Sequence, residues 1–525
     1  MHFTKLLTVA ATLAVATALG AAPGALAQKR GGTLVYGVKA EPETYDIHAT
    51  NQYGVMHYLP QHYSTLLTFN WKKFPELEGD LAESWNVSAD GLTYTFKLRP
   101  GVKFHDGQAL TSADVKATFD RLRSPQDGEV SARQALFEAI DSVETPDDLT
   151  VVFKLKEPDS SMLQGFGSPY NAIYSKADID KPGNWHKDHV NGTGPFVFVE
   201  YVPGEKWVAK RNPNYHHDDV YLDGTVAYKI KDIVNPMAGG QIMAEWRAVS
   251  APERANLEKL MGDKVAFQEG PWLSEMMVTL NGRFEPFQDK RVRQALNLCI
   301  DRKAGLESLS KITILSSFAS GHVLKGTEYA LSDEELAAIP GFGSDVAANR
   351  AKAQRLLKEA GHEGLAFTYS NRAVPHPYDQ MAIYLIAQWK QCGLNPTMVS
   401  NPTAKFTEMR SKGGFDATID WNTAFLTDPT LMINKHLSAD RSPQNYAGYI
   451  DRELDNLYDA QRKELDPVKR KQYVNAFEKR ALDEAWTLPV TYMARVIALN
   501  SKVKGYVTAP THVLNTDWRG VWIDE

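Results

Sequence analysis

The stretch GLTYTFKLRPGVKFHDG, Gly91 to Gly107, followed by Thr111-Ser112-Ala113-Asp114-Val115, decides how this chain is read. Thr93 to Leu98 alternates apolar and polar residues with period two, the pattern of a half-buried strand, and Arg99-Pro100-Gly101 then supplies turn residues. His105-Asp106-Gly107 reads as a second turn, because Asp bonds nearby backbone and Gly tolerates positive φ. Thr111 or Ser112 can cap a helix with Asp114 in its first turn, where a carboxylate favours the helix dipole, and the apolar spacing carries that helix to about Leu122. Asp148 to Leu155 alternates again, so the block is a mixed α/β unit.

Working outward, Gly32 to Val38 is a first strand, broken at Glu41-Pro42-Glu43-Thr44-Tyr45-Asp46 by a loop that can face a ligand. Gly192-Thr193-Gly194-Pro195 is expected to reverse the chain tightly before the strands Phe196 to Val202 and Glu205 to Arg211. The second half is more helical, with three-to-four-residue apolar spacing at Arg291 to Ile300, Ala347 to Ala360, Asp379 to Gln391, Pro402 to Arg410, Arg452 to Ala460 and Pro467 to Ala485. Short strands at Ala366 to Ser370 and Ala417 to Trp421 separate these helices, and Leu488 to Leu499 returns to a strand pattern. No internal repeat and no low-complexity linker interrupts the chain.

Bulk properties bound the answer. The chain has 525 residues, 43% hydrophobic and 23% charged, and a mean hydropathy of -0.37, which suits a globular protein of several compact units at roughly 100 to 200 residues each. Residues 1-27 read as an export leader: Lys5 begins it, Leu6 to Leu19 is apolar but shorter than the ~20 residues that span a bilayer, and Ala25-Leu26-Ala27 suits a peptidase. Cleavage would leave Gln28 first. Cys299 and Cys392 are the two cysteines, so none lies at the cleavage site to carry a lipid. A disulfide between them and two buried thiols are both open readings. A net charge of -6 speaks against nucleic acid or an anionic membrane as the partner.

Leu81-Ala82-Glu83-Ser84-Trp85 together with the opening stretch closely resembles the signature of the peptide/nickel/opine-type solute-binding proteins of bacterial family 5. GTGPFVFVEYVPGEKWVAKRNPNY (Gly192 to Tyr215) and RVRQALNLCIDR (Arg291 to Arg302) are similar to further motifs of that family, as are Ala351 to Gly361, Gly414-Phe415-Asp416 and Asp428-Pro429, all in order. The resemblance implies an α/β, periplasmic-binding-protein-like, two-lobed clamshell of type II, in the large peptide-binding subclass with an extra α/β subdomain. It implies lobe I from residues 28-70, a family-specific subdomain at 71-185, and 186-275; lobe II from 276-486; and a C-terminal return to lobe I at 487-525.

The implied function is the periplasmic substrate-binding subunit of an ABC importer, a monomer that captures a peptide-like or other small polar solute between lobes and passes it to a permease and ATPase complex. Ligand favours the closed state because only there do both lobes touch it. A ligand-sensing or chaperone-like receptor without transport, or a periplasmic hydrolase, are the alternatives. The chain has no Gly-x-Ser-x-Gly elbow, His-Glu-x-x-His helix, Cys-x-x-Cys pair, P-loop or dinucleotide fingerprint, so neither catalysis nor a cofactor is expected. His216-His217-Asp218-Asp219 could offer metal ligands, but consecutive side chains diverge, and a solvated loop without metal is the expectation.

Carried over from the family, the ligand contacts are Tyr45, Asn51, Gln52, Tyr53, Trp421, Asn422 and Thr423. Trp421 leads, since an indole gives a broad apolar face and one N–H donor. Arg372, beside Asn371 after a strand, could hold an anion bidentately. Peptide-binding relatives usually carry a carboxylate a few residues after this Trp to pair the peptide amine; here the run is Trp421-Asn422-Thr423-Ala424-Phe425, and Asp428 reads as an Asp-Pro turn. That departure puts a simple free-amine peptide in doubt.

Overall fold

A computed structural model of the chain describes residues 28–50, 52–125, 129–511, 513–514 and 516–524. The leader and Asn51 lie outside the described residues. In chain order the first strands are β1 (Thr33–Val38), β2 (Leu67–Phe69), β3 (Leu77–Gly79), β4 (Ala82–Val87), β5 (Thr93–Leu98), β6 (Ile140–Asp147), β7 (Thr150–Leu155), β8 (Phe196–Val202) and β9 (Lys206–Arg211). They are followed by β10 (Gly224–Lys229), β11 (Ala244–Glu245), β12 (Val265–Leu280), β13 (Ala366–Arg372), β14 (Asn395–Asn401), β15 (Ala417–Thr423), β16 (Thr487–Asn500), β17 (Val503–Lys504) and β18 (Trp522–Ile523).

One ten-stranded sheet runs β14-β13-β15-β12-β16-β11-β1-β10-β9-β8. Strands β12 and β16 are its spine, 16 and 14 residues long and antiparallel. The pairing slips between Pro271 and Glu275 and again between Met276 and Met277. On one side of the slip Val265–Pro271 pairs with Ala494–Asn500 and continues through β11 into β1; on the other, Glu275–Thr279 pairs with Thr487–Tyr492 and continues through β15 into β13. Helices pack against the sheet, so the architecture is mixed α/β, as the sequence implied.

The opening stretch folds as read. β5 buries Tyr94, Phe96 and Leu98 and pairs with β4 and β7 in a four-stranded sheet β4-β5-β7-β6. Thr111 and Asp114 close a reciprocal capping box on the helix Ser112–Arg123, satisfying backbone donors that the first turn leaves orphaned. That helix lays Val115, Phe119 and Leu122 on a core of their own with Phe137, Phe153 and Phe166. Gly192 and Gly194 serve a purpose other than the expected reversal. A Cβ on Gly192 would stand 2.0 Å from the His62 carbonyl oxygen, and one on Gly194 would stand 2.4 Å from the Tyr63 backbone nitrogen. Close approach of two backbones, not positive φ, requires glycine there.

The cysteines resolve the reading left open: Cys299 and Cys392 form a disulfide with Cα atoms 6.2 Å apart. Each ends a helix, Lys290–Leu298 and Gln380–Gln391. The bond therefore staples two helix ends within the core that also holds Trp389, Phe367 and Leu296. Among the described residues no helix is long and apolar enough to cross a membrane.

Candidate functional site

β15 leaves the spine of the sheet at Trp421-Asn422-Thr423, where β12 faces it in the pairs Met276–Trp421, Glu275–Asn422 and Ser274–Thr423. Period two splits the three residues. Asn422 is 8% exposed and its amide donates to the Met432 carbonyl, so it holds the following segment in place. Trp421 and Thr423 are half-buried on the other face.

The Trp421 indole is flanked by Tyr378, with ring centroids 5.4 Å apart and nearly perpendicular, and stacks at 6.1 Å on Phe406. The guanidiniums of Arg410 and Arg372 stand 4.1 Å and 5.6 Å from the ring centroid, within cation–π range. Arg372 is the last residue of β13 rather than the loop after it. Its Nη1 donates to the Tyr378 hydroxyl at 3.1 Å and its Nε to Thr403 Oγ1 at 3.0 Å. Both partners are neutral, which leaves its charge for a ligand.

Across from β15, Tyr53 opens the short helix Tyr53–Met56. Its hydroxyl bonds to the Thr423 side chain, and Thr423 Oγ1 also lies 2.8 Å from Ser274 Oγ. Burial pushes the Tyr53 hydroxyl up to about 12, with Arg247 and Arg133 in its electrostatic neighbourhood. Gln52, just before it, is exposed. Tyr45 is not gathered here. It packs against Trp207, Tyr201 and Phe198 with centroids 5.0, 6.2 and 6.4 Å away, a ring cluster built on β8 and β9.

The electrostatics around Trp421 are positive. Asp420 is fully buried and accepts from Arg410 Nη1 at 2.7 Å, while Lys435 Nζ stands 3.0 Å away, so one carboxylate faces two cations. Arg247 is exposed over the Trp272 ring at 5.2 Å. Arg133 lies between Tyr170, 4.1 Å from the ring centroid, and Phe425 at 4.9 Å, and burial lowers its guanidinium to about 10. Asp428 is spent structurally: it caps the helix Pro429–Ile433 and accepts from Arg470 Nη2 at 2.7 Å. Sequence reasoning missed Arg133, Arg247, Tyr378 and Arg410. Each is separated from Trp421 in the chain by a connection whose path no local pattern encodes.

Residues 425–470 also press on the unit built around the four-stranded sheet. Phe425 meets Tyr170 edge-on at 5.3 Å, the Asp428 amide donates to Gln164 Oε1 at 3.1 Å, and Arg462 bridges Glu138 and Asp159. The run from His216 is not the solvated loop expected. His216 Nε2 sits 2.8 Å and His217 Nε2 3.3 Å from Oδ1 of buried Asp80, because the carboxylate draws both rings inward.

Residues 76–444 match a family described as bacterial extracellular solute-binding proteins, family 5, middle. The heme-binding protein A of Haemophilus influenzae is 28% identical over 479 residues, covering 86% of this chain and 85% of its own. The dipeptide-binding protein of Escherichia coli is 26% identical over 521 residues, covering 91% and 92%. Among solved structures, the periplasmic binding protein DppA of Helicobacter pylori in complex with the peptide STSA superposes with a TM-score of 0.77 at 24% identity, over 95% of this chain and 99% of its own. At that identity the likeness concerns the fold.

Proposed function

Because the chain belongs to the bacterial extracellular solute-binding proteins of family 5, we propose that it is the periplasmic solute-binding subunit of an ATP-driven importer, holding one small polar solute between two lobes and presenting it to a membrane permease. Lobe I comprises residues 28-275 and the return at 487-525; lobe II is 276-486. The slipped pairing of β12 and β16 is the natural hinge, since irregular pairing bends a ladder at little cost.

The observation that carries this reading is the meeting of Tyr53 and Thr423, one from each side of the hinge, beside an aromatic wall with an available guanidinium. The solute lies against Trp421, with Tyr53 and Thr423 closing over it. Arg372 takes an anionic end of the solute, a carboxylate by preference, because a guanidinium fork matches it bidentately. Among the described residues of the run 420–428 no carboxylate stands free for a ligand ammonium, since Asp420, just before Trp421, and Asp428, after it, are both engaged. A carboxylate-bearing conjugate or a modified peptide therefore suits the site better than a free-amine peptide.

The test is to purify the mature protein, denature it, identify the released molecule by mass spectrometry and titrate that compound back by calorimetry, with small-angle scattering following closure. An anionic solute that contracts the particle supports the reading. Turnover of the compound, or a scattering profile unmoved by saturating solute, overturns it.

A further inference from the structure

Behind the spine of the sheet, and separate from the face that carries Trp421, three residues distant in sequence converge: Glu275 on β12, His322 in the loop before the helix Asp333–Ala337, and His436 at the end of the short turn Asn434–His436. Their side chains are 1%, 0% and 1% exposed, and one ligand atom from each lies within 4.8 Å of the others. His322 Nδ1 stands 2.8 Å from Glu275 Oε1, and His436 Nε2 stands 3.8 Å from Glu275 Oε2. Among the described residues neither Glu275 Oε2 nor His436 Nε2 has a hydrogen-bond partner.

The outer ring nitrogens meet a single hydroxyl. His322 Nε2 is 3.4 Å and His436 Nδ1 3.3 Å from Thr487 Oγ1. The protons cannot be placed comfortably with both imidazoles neutral. The four contacts share three protons: if His322 donates Nδ1–H to Glu275 and its Nε2 takes the Thr487 proton, His436 has one N–H to give either to Thr487 or to Glu275. Whichever it leaves, a bare ring nitrogen faces an oxygen lone pair inside the core. A cation between the three inner atoms removes the conflict: both inner nitrogens become ligands, both outer nitrogens carry hydrogen and donate to Thr487 Oγ1, and that oxygen has a lone pair for each. Orientation of ligating histidines through their second nitrogen is the usual support for a metal.

We infer that Glu275, His322 and His436 form a structural binding site for a divalent transition ion of the zinc type where β12 passes from the first lobe into the second. Two imidazoles and a carboxylate are a donor set zinc accepts, with bond lengths of about 2.0–2.2 Å. Tetrahedral ligands at that length lie about 3.4 Å apart, between the 2.8 and 3.8 Å observed for the two histidine–carboxylate contacts, so loading shifts these contacts by roughly half an ångström. The backbones are already pinned: the Tyr492 hydroxyl donates to the His322 carbonyl at 2.7 Å and the Tyr449 hydroxyl to the His436 carbonyl at 2.6 Å. Glu275 pairs with Asn422 across the sheet, so the bound ion stiffens the strand that presents Trp421 and Thr423.

The experiment uses full-length mature protein without a histidine tag, produced in zinc-supplemented medium and gel-filtered. Elemental analysis is expected to find about one zinc per chain, X-ray absorption to find imidazole and oxygen scatterers without sulfur, and chelation to lower the melting temperature. Glu275→Gln and, separately, His436→Gln lose the metal, whereas the double change His216→Gln/His217→Gln at the Asp80 cluster keeps it. If either single variant fails to fold, the absorption spectrum of the His216→Gln/His217→Gln variant decides, because with the Asp80 cluster disabled two imidazoles in the shell support the site and fewer overturn it. Zinc-free protein, or zinc lost in the His216/His217 variant and retained in His436→Gln, overturns it as well.

Discussion

Arg462 Nη2 stands 2.8 Å from Asp159 Oδ2, joining the helix Arg452–Lys463 to the unit around the four-stranded sheet through a carboxylate that is only 1% exposed. The neighbouring carboxylate pulls the Arg462 guanidinium well above its ordinary value against the opposing effect of burial. An ion pair so placed is worth little as attraction but a great deal as a penalty when half is removed, because the remaining charge is stranded away from water.

On the proposed two-lobed reading, Arg462→Met is therefore expected to disfavour closure, because it strands the Asp159 carboxylate, which is 1% exposed in this arrangement. We expect solute affinity to fall by about 1–3 kcal/mol, less than the full ~3–5 kcal/mol of a broken buried pair because opening relieves the strain. Scattering should show a more extended particle at equal solute. An unchanged Kd would remove this contact from the closing energetics.

Trp421 and Asn422 are neighbours with opposite consequences. Trp421→Ala should weaken solute binding by about 1–4 kcal/mol, as for a truncated aromatic anchor, with little change in thermal stability. Asn422→Ala instead deletes the bond to the Met432 carbonyl and should cost about 1 kcal/mol of stability. Calorimetry and melting curves on the two variants separate the roles; equal losses of affinity in both would contradict the assignment.

Glu245 is 3% exposed, and burial raises its carboxyl from 4.5 to about 7. The folded state thus keeps a proton that the unfolded chain releases, so this residue costs stability progressively as pH rises from 4.5 through 7, and the cost is constant above. Glu245→Gln keeps an oxygen to accept the Arg247 amide, a bond of 2.6 Å, and abolishes that dependence. The stability of the variant relative to wild type should be greater at pH 8 than at pH 5 by about 2–3 kcal/mol. Parallel denaturation profiles across that window would refute the shift.

Cys299 and Cys392 close a loop with a sequence separation of 93 residues. Loop-closure entropy sets an upper stabilisation of about 4–5 kcal/mol for such a length, and native disulfides commonly deliver about 2–4. Cys299→Ser with Cys392→Ser, or reduction, should lower the denaturant midpoint accordingly while leaving solute affinity nearly intact. A midpoint indifferent to reductant would mean the bond does not form in solution.

The strands that the sequence makes legible are those with one wet face. β5 alternates because Thr93, Thr95 and Lys97 face outward while Tyr94, Phe96 and Leu98 are buried. β12 gave no such signal: from Trp272 to Leu280 every residue is buried, and a run covered on both faces loses its period. The boundary at Arg372 slipped for a related reason, since β13 continues two residues beyond its apolar pattern to pair with β14.

Local sequence determined the alternating strands, the capped helix after Thr111 and, through motifs kept in order along the chain, the family. Tertiary structure alone decided that Tyr53 meets Thr423, that Arg410 and Arg372 flank one indole, that two helix ends bring the cysteines together and that Glu275 finds His322 and His436. Caps and periodicity act over a few residues and leave their mark in composition. Contacts across tens to hundreds of residues depend on how whole layers register, and that is a property of the packed sheet rather than of any segment within it.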